Sequence, residues 1–316
     1  MRPVSSNAFS TDAMLQIQQP VIRIDDAHHA YGDLRALNGL TFDLFPGELL
    51  GLLGPNGAGK TTIINCIAGR QKLSRGRIQI ASEGRLCDQL GIVPQEVAVY
   101  QDLTILQNLT AFGRLHGVHA VELKQRVAQA LSWAALESRR HALVNTLSGG
   151  MQRRLNIACS VLHQPKILLL DEPTVGIDPQ SRERIYTMLD SLLEIGTAIL
   201  LTTHQLDEAQ SCCDRMAIID GGQIIASGTF EELLGRTIGT SQQLNLKFTE
   251  QQRQVPSPLS LSEDGLEAAG YIDGSSQLPR LLNHFNMNRV SITTITMREP
   301  TLQQLFLHLT GKELRE

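Results

Sequence analysis

The run Gly54-Pro55-Asn56-Gly57-Ala58-Gly59-Lys60-Thr61-Thr62 brings three glycines together with a lysine and two hydroxyls. It follows an apolar stretch and opens a helical one, the setting in which G-x-x-x-x-G-K-[ST] acts as a phosphate cradle. The glycines let the backbone curl until successive N–H groups converge on a polyphosphate. The helix that follows turns its positive end toward the same anion. Lys60 adds a point charge for the β- and γ-phosphates, and Thr61 offers a hydroxyl to Mg2+.

Two further constellations suit the same chemistry. Ile167-Leu168-Leu169-Leu170-Asp171-Glu172 ends an apolar strand in two carboxylates, where open α/β sheets place their ligands. Asp171 is expected to hold Mg2+ and Glu172 to orient or deprotonate a water molecule. Leu147-Ser148-Gly149-Gly150-Met151 begins a helix at Ser148, and the hydroxyl and glycine N–H groups at its positive end suit a second phosphate site. One loop already cradles the phosphates, so this second set is expected to serve a nucleotide held by another subunit.

The elements that must carry these residues follow from hydrophobic patterning. Short antiparallel strands are expected from Val21 to about Phe45, where apolar runs alternate with Gly32, Asp33, Asn38 and Gly39. A buried strand over Glu48 to Leu53 runs into the glycine loop, and a helix follows from Lys60 to about Ala68. Helical spacing of Val127, Leu131, Ala134 and Ala135 predicts a helix over Val121 to Leu136. Ile167 to Leu170 and Ala198 to Leu201 read as central parallel strands, and Asp220-Gly221-Gly222 as a tight hairpin between Met216–Ile219 and Gln223–Ala226. Beyond Gly235 the pattern becomes Gln- and Ser-rich, with an alternating stretch from Val290 to Ile295 and a last helix near Leu302 to Leu309.

Composition narrows the function classes. With 28 Lys+Arg against 32 Asp+Glu and 4% aromatic residues in 316, the chain is neither a generally basic nucleic-acid binder nor a stacking platform for single strands. No stretch approaches the roughly 20 apolar residues of a spanning helix. The five cysteines lack a C-x-x-C pair and suit a reducing compartment, with Cys212 and Cys213 expected to be buried in a helical stretch.

Taken in order, the phosphate loop, Leu147 to Met151, Asp171-Glu172, Gly176-Ile177-Asp178-Pro179 and His204 resemble the nucleotide-binding subunit of ATP-binding-cassette transporters. The details around Pro173 to Pro179, Thr202 to Ala209 and Glu299 to Gly311 are most similar to exporter ATPases of the daunorubicin-resistance type. The resemblance implies an α/β fold: a P-loop NTPase core with an amino-terminal antiparallel β subdomain, an inserted α-helical subdomain and a small carboxy-terminal α+β appendage. It implies a leader over residues 1–20, the ATP-binding domain over 21–235 with its helical part at about 97–165, and an accessory domain over 236–316. By position, Tyr31 matches the aromatic that stacks on adenine and Gln95 the glutamine that touches Mg2+ and water. Asp178 matches the residue that communicates across a dimer, and His204 the switch histidine near the γ-phosphate. The implied assembly is two ATP-binding subunits packed head to tail around two ATP molecules, more in keeping with a homodimer than a heterodimer. It sits at the cytoplasmic face of a membrane beneath a separately encoded permease, with the surface from Tyr100 to Thr104 receiving that partner. Two positions depart from the common pattern: Met151 stands where many relatives have Gln, and Gln107 where an acidic residue often precedes Asn-Leu.

Overall fold

The computed structural model describes residues 19–81, 85–237, 239 and 241–310. The expected leader lies outside them as far as residue 18, as does the end of the chain from Gly311. Strands β1 (Ile22–Tyr31) and β2 (Leu34–Leu44) form an antiparallel pair, turning at Gly32 and Asp33. They are longer than the short strands expected. Asn38 and Gly39, read as turn formers, lie inside β2 opposite an irregular stretch of β1 that contains Asp26. A β-bulge absorbs them without ending the strand.

Strand β3 (Leu49–Leu53) leads into helix α1 (Lys60–Ile67), and β4 (Arg75–Ile80) then pairs with β1, giving a three-stranded sheet in the order β2-β1-β4. After the short helix α2 (Leu86–Gln89) comes β5 (Leu90–Val93), followed by a helical layer of α3 (Ile105–Leu115), α4 (Ala120–Trp133) and α5 (Gly149–Val161). Thr104 and Gln107 close a reciprocal capping box at the start of α3. Helix α4 buries Leu123, Val127, Ala130 and Leu131 but stops before the expected Leu136. Ala135 adopts a left-handed conformation (φ 52°), the Ala135 N–H donates to Ser132 and the Leu136 N–H to Leu131. This is the Schellman ending usually supplied by glycine, and an alanine in that position leaves no signal in the sequence.

The chain continues through β6 (Ile167–Asp171), α6 (Pro179–Glu194), β7 (Ala198–Thr203), α7 (Leu206–Cys212), β8 (Arg215–Asp220), β9 (Gln223–Gly228) and α8 (Phe230–Arg236). The six-stranded sheet runs β5-β6-β7-β3-β8-β9, parallel except for the β8-β9 hairpin. Its central strands β3, β6 and β7 are buried along their whole lengths and apolar up to the polar residues at their ends, because both faces are covered. Leu49, Leu168, Leu170, Ile199 and Leu201 pack on one side with residues of α5 and α6, such as Leu155, Ile157, Ile185 and Leu189. Leu50, Leu52, Leu169, Leu200 and Ala217 face the other way, toward Ile63 and Ile67 of α1 and the β1-β2 pair.

A third sheet, antiparallel in the order β11-β12-β10-β13, is built from β10 (Gln242–Phe248), β11 (Ser260–Leu261), β12 (Glu267–Ile272) and β13 (Ile292–Arg298). Helix α9 (Gly274–Met287) covers it with Leu281 and Phe285, making a separate apolar cluster with Leu244, Leu246 and Phe248. The last helix, α10 (Leu302–Thr310), does not join that cluster, contrary to its expected place in the appendage. Its Leu302, Leu305 and Phe306 are buried against Leu53, Leu206, Met216, Ile218, Leu233 and Leu234, beside the six-stranded sheet. Cys212 and Cys213 lie at the end of α7, half-buried, with their sulfurs 3.8 Å apart. Among the described residues no helix is long and apolar enough to cross a membrane.

Candidate active site

Strand β3 delivers Gly54 into a space with no room for a side chain: a Cβ there would lie 2.3 Å from the Ile219 carbonyl oxygen. Gly59 is confined in the same way, 2.5 Å from the Ala36 carbonyl oxygen, and has φ +110°. These two glycines seat the loop against β2 and β8, and the Gly222 N–H of the hairpin turn donates to the Ala58 carbonyl. Gly57 (φ +82°) opens outward, with open space where a Cβ would sit, and Asn56 and Thr61 are exposed. Pro55 is half-buried, while Ala58 and Thr62 are buried and hold the loop and the first turn of α1 to the core. The loop therefore presents backbone to solvent on one side only.

Lys60, 5% exposed, donates to the carbonyls of Gly54 (2.7 Å) and Pro55 (3.1 Å), and its Nζ stands 3.5 Å from Glu172 Oε1. Burial pulls the Lys60 pKa down from its ordinary value, opposed by attraction to Glu172 and then Asp171. Glu172 is the hub of the site. Its Oε2 accepts from Gln95 Nε2 at 3.3 Å, and His204 Nδ1 lies 3.2 Å from its Oε1. The carboxylate is buried and sits on a left-handed backbone (φ 46°), an uncommon conformation for a residue with a side chain. Thr202, at the end of β7, holds that backbone by accepting the Glu172 N–H at both its carbonyl and its Oγ1, each at 3.1 Å. The Thr202 hydroxyl in turn donates to Asp171 Oδ1 at 2.6 Å.

Ser148, Gly149, Gly150 and Asp178 come together elsewhere. Ser148 Oγ accepts from the Met151 N–H at 3.3 Å and caps α5. A Cβ on Gly150 would sit 2.1 Å from Ser181 Oγ and 3.3 Å from Asp178 Oδ2, so the start of α5 abuts the start of α6. Asp178 caps α6 through the Ser181 N–H at 2.9 Å, and that hydrogen bond holds its pKa below the usual carboxylate value. No hydrogen bond or ion pair joins this group to Lys60, Gln95, Glu172 or His204 among the described residues. Tyr31, at the end of β1, is 46% exposed, and its ring stands nearly perpendicular to that of His29, 4.7 Å between ring centroids.

Two residues of the site escaped the sequence reading. Thr202 places a hydroxyl directly after the apolar run of β7 and opposite Asp171 of β6, so the available signal is the polar residue that ends an apolar run. Arg153 is buried on α5 and donates to the carbonyls of Pro94 (2.7 Å) and Gln95, fixing the strand end that carries Gln95. An arginine within Gln152-Arg153-Arg154 gives no hint of which of the two turns inward.

The chain is similar to known proteins along most of its length. The family described as "ABC transporter" matches residues 37–175. The linearmycin resistance ATP-binding protein LnrL of Bacillus subtilis is 35% identical, over 94% of this chain and 100% of that protein. A Nod factor export ATP-binding protein I of Ralstonia nicotianae (35%; 94% and 96%) and the daunorubicin resistance ATP-binding protein DrrA3 of Streptomyces coeruleorubidus (34%; 93% and 97%) are similar to it along nearly their whole lengths. Among solved structures, an ATP-binding subunit of an ABC transporter superposes with a TM-score of 0.63 at 29% identity, covering 68% of this chain and 92% of that one. An ATP-binding cassette solved as a post-hydrolysis dimer with ADP and Pi gives 0.59 at 25%, covering 66% and 98%. A P-loop seated on a parallel sheet, a carboxylate hub at the strand ends and relatives matched from end to end place the chain in the family of ABC transporter ATP-binding proteins.

Proposed function

We propose that this chain is the ATP-hydrolysing subunit of an exporter, acting as a dimer beneath a separate membrane permease at the cytoplasmic face. The convergence of Lys60, Gln95 and His204 on Glu172 carries this reading. Glu172 takes the proton of the attacking water, Gln95 and His204 keep its carboxylate aimed at that water, and the loop Gly54–Thr62 with Lys60 neutralises the phosphates. Tyr31, nearly half exposed, offers its ring to the adenine.

The oxygens available at the site suit Mg2+. Thr61 is exposed, Asp171 has one carboxylate oxygen engaged by Thr202, and the hydrogen bond from Gln95 Nε2 leaves its amide oxygen to act as a ligand. A hard cation that takes few protein ligands and completes its shell with phosphate oxygens and water fits such a set. Thr61, Asp171 and Gln95 would hold it, and its contribution would be to offset charge on the phosphates.

Ser148, Gly149, Gly150 and Asp178 gather at the adjoining starts of α5 and α6 and share no hydrogen bond or ion pair with Lys60, Gln95, Glu172 or His204 among the described residues. We place them against the ATP of the second subunit, so that each site is completed by both chains. Two copies of this chain suffice for that arrangement.

Glu172→Gln tests the reading. Phosphate release should fall at least about a hundredfold while ATP binding persists and ATP-induced dimers accumulate in gel filtration. Turnover by the variant at the parent's rate would remove Glu172 from the role of base.

A further inference from the structure

Glu208 lies on the first turn of α7, four residues after His204, and is 7% exposed. A buried carboxylate that touched nothing would be costly, and this one has a polar neighbour at each oxygen. Its Oε2 accepts from Thr174 Oγ1 and from the Tyr186 hydroxyl, both at 2.6 Å, and its Oε1 pairs with the Arg182 guanidinium. Thr174 is two residues beyond Glu172. Arg182 and Tyr186 lie on α6, and Arg182 also donates to the carbonyl of Ile177, the residue before Asp178. One carboxylate thus joins the segment after His204, the segment after Glu172 and the helix that Asp178 caps.

We propose that Glu208 is a positioning residue for hydrolysis: it fixes the segment Pro173–Asp178 against the start of α7, and so sets Glu172 relative to His204 and Asp178 relative to the partner subunit. This rests on the roles given above to Glu172, His204 and Asp178. Among the described residues Glu208 makes no hydrogen bond or ion pair to the phosphate loop, so its influence falls on the rate of the chemical step and on closure between subunits, and spares nucleotide capture by the single chain. The Arg182–Glu208 pair carries the geometry because it links the two ends of the segment: Glu208 holds Thr174 and Arg182 holds the Ile177 carbonyl.

The test measures kcat, KM and the equilibrium binding of a fluorescent ATP analogue for Glu208→Gln, Arg182→Met and the double variant, with Glu172→Gln alongside. Each single variant should lose about tenfold or more in kcat with analogue binding within about twofold of the parent. The double variant should lose no more than the worse single one, as expected when two residues act through one contact. Tyr186→Phe removes one hydrogen bond and leaves the ion pair, so it should keep kcat within about threefold, and it serves as the folded reference if Glu208→Gln proves unstable. Parental kcat in folded Glu208→Gln, or additive losses in the double variant, would overturn the proposal. If Glu172→Gln retained turnover, the underlying site assignment would fail instead, whatever Glu208 did.

Discussion

At the scale of single residues, the buried polar groups divide into those that serve the phosphate site and those that serve the fold. His163 belongs to the second kind. Its ring stacks on His116 with centroids 4.1 Å apart, and its Nε2 donates to the Leu90 carbonyl at 3.1 Å. Burial, reinforced by the neighbouring His116, lowers its pKa to about 4, with Arg126 adding to the shift and the Leu90 contact and Asp88 opposing it. A histidine kept neutral in the fold binds its proton more readily once unfolded. The unfolded chain therefore holds more protons between its ordinary pKa near 6.5 and about 4, and stability declines as pH falls through that window. Denaturant midpoints measured from pH 7.5 to 4 should drop less steeply in His163→Phe than in the parent. The phosphate-site residues were legible because their chemistry demands particular types in a fixed order: glycines, then Lys60, Thr61 and a carboxylate pair at a strand end. The residues that brace them were not. Thr202, Arg153 and Glu208 act through partners more than twenty positions away, and nothing local marks a threonine, an arginine or a glutamate as turned inward.

At the scale of elements, the parallel strands were readable because burial on both faces leaves a continuous apolar run, and the hairpin because its turn is Asp-Gly-Gly. Errors arose where an ending used an unexpected residue, as with Ala135 after α4, or where a turn former was absorbed by a bulge, as with Gly39 in β2. The neutral Gln107 has a clear local use: its Oε1 accepts from the Thr104 N–H at 2.8 Å, a contact that the amide makes without a charge. The placement of α10 was beyond reach of periodicity, which reveals an apolar stripe without naming the surface that covers it. Phe306 is fully enclosed among Leu206, Met216, Leu233 and their neighbours. Phe306→Ala should therefore cost about 3–5 kcal/mol of the core's stability, as for other buried aromatic truncations. Guanidinium titration followed by far-ultraviolet circular dichroism would measure it. A variant as stable as the parent would mean that α10 contributes little to that core.

At the scale of the whole molecule, the third sheet is held at two places. The chain enters it from α8 and returns through α10, whose Leu302 N–H donates to Gln210 Oε1 of α7 at 2.9 Å. Both of these flanking helices lie in the same apolar cluster beside the six-stranded sheet. Topologically the segment from Gln242 to Arg298 is an insertion, although its position near the end of the sequence suggests a tail. A single protease cut in the connection between Phe248 and Ser260 should leave the two fragments migrating together in native gel filtration and separating only in denaturant. Dissociation of the nicked protein under native conditions would contradict a double anchorage. The same closure limits how the accessory sheet can move. A body hung by one strand can swing through a wide cone, whereas one hinged at both ends can only rock about the line between its hinges. One of those hinges rests on α7, the helix that begins two residues after His204.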